Sequence, residues 1–196
     1  MRERFLIMSR EPLSLMRVFS GWNGYQISLV RAVESLTPEQ LVYRPVPDKR
    51  SVGEVAGHIA FGRIDWFNRM GAPGSAELAD QIAPFYKTGV RHESAISNSA
   101  EEIIRWLQSS WQMIEANLNQ WTIADLQKSY LHEYRGKLYD VSYQWTIWRI
   151  MAHDIHHGGQ LTVLLGMLGV ELPDLGDQGG HIIEVPLAYP EKPNGE

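Results

Sequence analysis

Two histidines four residues apart, His153 and His157, sit inside a long apolar run that extends from about Val141 to Gly169. On an α-helix such a pair lies on one face, one turn apart. Ile150, His153, His157, Leu161, Leu164 and Leu168 recur at intervals of three and four, the spacing of a buried helical stripe. Both imidazoles therefore point where the leucines point, into the protein. The segment must be a helix packed against other elements on that face, and those elements must accommodate two polar rings. Two readings stay open on the spacing alone. The pair can grip one metal ion, as in zinc-binding His-x-x-x-His helices. It can also be a pair of core histidines hydrogen-bonded to each other or to backbone.

A third histidine tips the balance towards metal. Ser51-Val52-Gly53-Glu54 reads as a capping box that starts a helix running to about Met70. Val55, His58, Ile59, Gly62 and Trp66 form its inward stripe. Three neutral imidazoles meeting in an apolar interior strain to satisfy one another's donors and acceptors, whereas one divalent cation satisfies all three. His58, His153 and His157 are the candidate ligands. Asp65, two turns after His58, and Gln160, one turn after His156, could orient a ligand or bind substrate. His156 falls on the flank of its helix and is expected to be half-buried. His92 and His132 are expected at the surface.

The rest of the chain reads as more helix. The first helix is expected from Pro12 to about Ser35, with Leu13, Met16, Ile27 and Val30 on its apolar face. Thr37-Pro38-Glu39-Gln40 reads as a cap and a short turn, and Arg44 to Lys49 as a proline-broken loop. A third long helix starts at a second box, Ser99-Ala100-Glu101-Glu102. Between Ala76 and Asn98 lies a long connection with a short helix near Ala76–Ile82, the kind of crossover that serves as a lid or pocket wall. Lys128 to Asp140, with its Tyr-Arg-Gly-Lys turn, reads as a hairpin-like strap before the last helix. The predicted fold is therefore all-α: a four-helix bundle over 12–170, an N-terminal lead over 1–11, and an irregular tail over 171–196. In that tail His181–Val185 and Leu187–Tyr189 are expected to wrap the bundle, and the last six residues to be disordered.

Composition narrows the function classes. A net charge of −5 with no basic run argues against nucleic acid or an anionic membrane as partner. The apolar patch Phe5-Leu6-Ile7-Met8 is too short for a signal or a span, so the expected location is cytoplasmic. With no cysteine, disulfides are excluded and a metal must be held by His, Asp or Glu.

The segments Ser51 through His58 and His153 through Gln160, with the His, His-x-x-x-His spacing and the trailing Gly-Gln, resemble the DinB/YfiT-like superfamily over roughly residues 12–170. The resemblance implies a four-helix bundle with a divalent metal, zinc or nickel, on three histidines. Characterised members include thiol-dependent S-transferases and a mycothiol-dependent maleylpyruvate isomerase. Where many members carry Arg, this chain has Gly158. A three-histidine site keeps a coordination position open, the mark of a catalytic metal. The expected function is an enzyme that transfers a low-molecular-weight thiol (bacillithiol, mycothiol or glutathione) to an electrophilic small molecule. A metal-dependent hydrolase, with Asp65, Asp154 or a loop carboxylate as base, is the second reading. A non-catalytic, stress-related metal-binding or dimerisation module is the third. A homodimer is expected, since two-fold pairs are the commonest oligomers.

Overall fold

A computed structural model of the chain describes residues 13–87, 91–177 and 179–180. The lead through Pro12, and the tail segments expected to wrap the bundle or to be disordered, lie outside the described residues. In chain order the helices are α1 (Leu15–Val18), α2 (Ser20–Glu34), α3 (Pro38–Leu41), α4 (Val52–Arg69), α5 (Ser75–Ile82), α6 (Ala100–Gln120) and α7 (Tyr143–Met167). A hairpin of β1 (Ser129–Tyr134) and β2 (Lys137–Ser142) precedes α7. The long helices α2, α4, α6 and α7 form the bundle. α4 packs against both α6 and α7, while α2 closes the bundle mainly against α6. Leu29, Ile59, Ile64, Phe67, Leu107, Ile114, Ile150 and Leu165 fill the interior. Among the described residues, no helix is long and apolar enough to cross a membrane.

Helix starts follow their caps. Ser51 and Glu54 make both halves of their box, and Thr37 and Gln40 do the same for α3. At α6 only half of the expected box forms. Ser99 accepts from the Glu102 N–H, but the Glu102 carboxylate turns to Arg105 instead, at 2.7 Å. The hairpin turns at Arg135 and Gly136, both with positive φ (51° and 71°), the type I′ geometry that suits the twist of paired strands. Val141, expected to open the last helix, instead lies in β2 opposite Tyr130, and Ser142, the last strand residue, caps α7 through the Trp145 N–H.

The first helix differs from its expectation. It is broken at Phe19 into α1 and α2, and the glycines at 21 and 24 lie inside unbroken helix. The Leu15 N–H donates to the Trp121 carbonyl at 2.8 Å, so the start of the chain is pinned to the end of α6. The buried face carries Trp22, Tyr25, Leu29 and Val33, while Leu13 and Ile27 are exposed. The tail is more ordered than expected at its start. A helical turn over Pro173–Asp177 seats Leu175 in the core, and Asp174 pairs with Arg31 at 2.8 Å.

One buried polar network ties all four long helices together. Arg63 on α4 and Asp154 on α7 are fully buried and paired at 2.8 Å. The Trp22 indole N–H on α2 donates to the same Asp154 oxygen at 2.8 Å. Arg63 also donates to Gln26 on α2 and to the Leu107 carbonyl on α6. A buried ion pair is costly unless its remaining donors and acceptors find partners; Trp22, Gln26 and the Leu107 carbonyl supply several of them, while Asp154 Oδ1 has none.

Candidate metal centre

The long connection reaches the bundle through glycines on α4. A Cβ at Gly53 would lie 1.9 Å from the Ser97 carbonyl oxygen, and one at Gly57 would lie 3.1 Å from the Ile96 side chain. Their absence lets the segment around Ile96 lie on the start of α4, which buries Glu93 beside His58. One turn further along, a Cβ at Gly62 would sit 2.7 Å from the His153 ring. That gap lets the α7 imidazole lie against α4.

His58 on α4 and His153 and His157 on α7 therefore converge. Their ring centroids are 4.9 Å (His58–His153), 4.7 Å (His58–His157) and 4.4 Å (His153–His157) apart. One ring nitrogen from each lies within 4.8 Å of the other two. The Nε2 atoms of His58 and His153 are 3.2 Å apart. Burial is the main influence holding the His58 ring neutral, with Arg50 and the other histidines adding to it, and it titrates only at about 2. Burial likewise lowers His157 to about 4, against a partial upward pull from Gln160. Neutral imidazoles with free lone pairs are what a cation requires.

The surrounding groups orient these rings. Gln160 Oε1 lies 2.8 Å from His157 Nδ1. A carbonyl oxygen only accepts, so Nδ1 carries the proton and Nε2 keeps its lone pair towards the cluster. Gln160 Nε2 lies 3.2 Å from His156 Nε2, and His156 is exposed rather than half-buried as expected. Arg50 donates to His58 Nδ1 at 3.3 Å and also pairs with Glu93. A guanidinium only donates, so in this arrangement His58 Nδ1 accepts and Nε2 bears the proton. Ligation through Nε2 requires the other tautomer, with Nδ1–H facing an acceptor. Near His58, one ligand atom each of Glu93 and His92 lies within 4.8 Å of a ring nitrogen.

The donor set fits a divalent cation. Three imidazoles and no protein thiolate match the borderline ions zinc and nickel. His153 Nδ1 has no hydrogen-bond partner and lies 3.7 Å from an Asp154 oxygen that is also unpartnered. A small contraction of that gap would complete the carboxylate–histidine pair common behind metal-bound imidazoles.

The sequence profile of the DinB superfamily matches residues 27–161, more than half of the chain and inclusive of all three histidines. The chain belongs to the DinB superfamily. Two solved structures share its fold. A DinB-like protein from Bacillus cereus ATCC 10987 is 20% identical, with 82% of this chain and 96% of that one covered and a TM-score of 0.62. A DinB-like protein (YjoA) from Bacillus subtilis is 19% identical, with 80% and 95% covered and a TM-score of 0.52. No functionally curated protein matches the chain.

Other expectations are resolved within this DinB bundle. A Cβ at Gly158 would lie 1.8 Å from the Tyr25 hydroxyl, so Tyr25 occupies the space that an arginine at this position would need. Asp65 does not reach the histidines. It accepts from the Tyr86 hydroxyl at 2.6 Å, and Tyr86 in turn stacks on His92 at 4.3 Å. His92 is half-buried between the Phe61 and Tyr86 rings, not at the surface. His132 is also half-buried, 5.3 Å from the Trp66 ring. Asp154, a candidate base on sequence grounds, is committed to Arg63 and Trp22. The sequence reading missed Arg50 and Glu93. Arg50 sits in the loop ahead of α4 and Glu93 in a short helical turn of the connection, neither with an amphipathic period, and for Glu93 the closest signal was the small-residue face of α4.

Proposed function

We propose that this DinB protein is a divalent-metal-dependent enzyme that transfers a low-molecular-weight thiol to an electrophilic small molecule. The observation that carries the reading is the meeting of three imidazoles from α4 and α7 at one point. A cation on three imidazoles keeps a coordination position open and supplies Lewis acidity that favours a thiolate or hydroxide near neutral pH. Gln160 holds His157 in the tautomer that donates from Nε2. Glu93 supplies a buried carboxylate within 4.8 Å of a His58 ring nitrogen. A cleft of about 400 Å³ lined by Trp145, Trp148, Arg149, His153 and His156 gives a small molecule access to the His153 side of the cluster. The chain has no cysteine to compete with an incoming thiol.

Hydrolysis is the second reading, and Glu93 favours it as a buried carboxylate close to His58. It ranks lower because Glu93 already faces Arg50 and His92, Asp154 is held by Arg63, and Asp65 by Tyr86. A general base needs a free lone pair in reach of water.

The test begins with metal content by mass spectrometry on protein purified without chelator or metal-affinity resin. About one equivalent of zinc or nickel is expected in the wild type and little in a folded His58→Ala variant. The loaded protein should then consume bacillithiol, mycothiol or glutathione in the presence of a model electrophile. A rate no faster than that of His153→Ala sinks the transferase reading. Chelator-sensitive ester turnover in its place promotes the hydrolase.

A further inference from the structure

A cavity larger than the cleft at His153 lies apart from the three clustered histidines. It encloses about 890 Å³ between the hairpin and the outer faces of α4 and α7, a volume in the range of small-molecule sites. Its walls are aromatic and cationic. Trp66 lies at the centre, 5.4 Å from Trp145 and 5.3 Å from His132 between ring centroids. The guanidiniums of Arg69 and Arg149 both rest on Trp66, at 4.8 and 4.6 Å from its ring centroid, and Arg149 also lies 5.4 Å from Trp145. Stacking fixes the planes of both guanidiniums and leaves their N–H edges available. Among the described residues neither Arg69 nor Arg149 has a carboxylate partner within 4.0 Å, although Asp140 also lines the cavity.

We propose that this cavity binds a planar aromatic anion, its ring against Trp66 and Trp145 and its carboxylate or phosphate between Arg69 and Arg149. Aromatic walls favour a flat apolar body through offset and edge-to-face contacts. Two preorganised guanidiniums without a counter-ion favour an oxyanion through charge-assisted, bidentate hydrogen bonds. Trp145 and Arg149 are also walls of the smaller cleft that contains His153, so the two spaces share a side. Binding stands on this cavity alone. That the occupant is also the electrophile presented to the histidines rests on the reading proposed above.

Isothermal titration calorimetry tests it with 2-naphthoate, 2-naphthyl phosphate, 2-naphthylmethanol and 2-naphthylmethylammonium. At least one of the two anions should bind about tenfold or more tightly than the alcohol, and the ammonium should bind weakest. The tighter anion identifies the headgroup. Arg69→Gln and Arg149→Gln, both at exposed positions, should each weaken the anion about tenfold and leave the alcohol unchanged. The metal-free His153→Ala variant should bind the anion as the wild type does, which separates this site from the metal. Equal affinity for anion and alcohol, no loss in Arg149→Gln, or no binding of any probe overturns the proposal. A loss confined to His153→Ala overturns it too, because the anion would then sit on the histidines.

Discussion

His157 shows how a ring is oriented by a group outside the histidine cluster. Its position on α7 follows from helical spacing, but its tautomer follows from Gln160. Replacing Gln160 with Leu removes the acceptor at Nδ1 and frees the ring to rotate. Metal affinity should fall about 10- to 100-fold in a chelator-competition titration, with the fold unchanged by circular dichroism. An unchanged affinity would show that Gln160 has no part in holding the ring. The burial that keeps His58 and His157 neutral also has a consequence for stability. In the unfolded chain these rings titrate near 6.5, whereas in the metal-free folded protein His157 titrates at about 4 and His58 at about 2. Below about pH 6.5 the unfolded chain binds more protons, so stability falls with acidification, down to about 4 for His157 and about 2 for His58. Each ring contributes a slope of up to about 1.4 kcal/mol per pH unit. Urea titrations of stripped protein between pH 7 and 5 should show this loss, and His157→Gln should flatten it. Identical slopes would count against a depressed His157.

Among the elements, α4 matters most, because it meets α6, α7 and the long connection at once. Its sequence mixes large apolar residues with glycines at 53, 57 and 62, each facing something that a side chain would displace. Its polar anchor is Arg63. Arg63→Met leaves Asp154 buried with only the Trp22 indole as partner, and unpaired buried charges are costly. The variant should lose about 3–5 kcal/mol in urea unfolding. The double variant Arg63→Met/Asp154→Leu should recover part of the loss, since it removes the stranded charge as well. A double variant less stable than the single would show that the network holds the bundle by more than charge pairing. The helical periods of α4, α6 and α7 and the caps at Ser51 and Ser99 were legible from the chain. The break at Phe19 was not, nor was the Leu15–Trp121 hydrogen bond beside it, which joins residues more than a hundred apart.

At the scale of the whole molecule, the outward face of α7 carries exposed apolar residues that no other described element covers. Trp148, Ile155, Val163 and Met167 are each more than half exposed there, at 61%, 51%, 61% and 64%. Contiguous apolar residues of this size mark association surfaces more often than they stay bare. We propose a two-fold homodimer across this face. Sedimentation velocity should give about twice the chain mass of 22.4 kDa, and Val163→Glu should return the monomer. A wild-type monomer at tens of micromolar, about the range where stable dimers form, refutes it.

The sequence by itself determined what is local and periodic: the bundle helices, their caps, the hairpin turn, and the placement of His58, His153 and His157 on inward faces. Those features depend on residues three or four apart, or on one turn's dihedral angles, so the chain carries them without help. Tertiary structure decided the rest. Glu93 reaches His58 because the glycines of α4 admit the connection, and Arg50, just ahead of α4, then bridges His58 and Glu93. Tyr25 fills the space at Gly158, from a helix more than a hundred residues away. Arg69 and Arg149 share Trp66 because two helices and a hairpin meet there. Such contacts arise from packing between distant segments, which spacing along the chain does not encode.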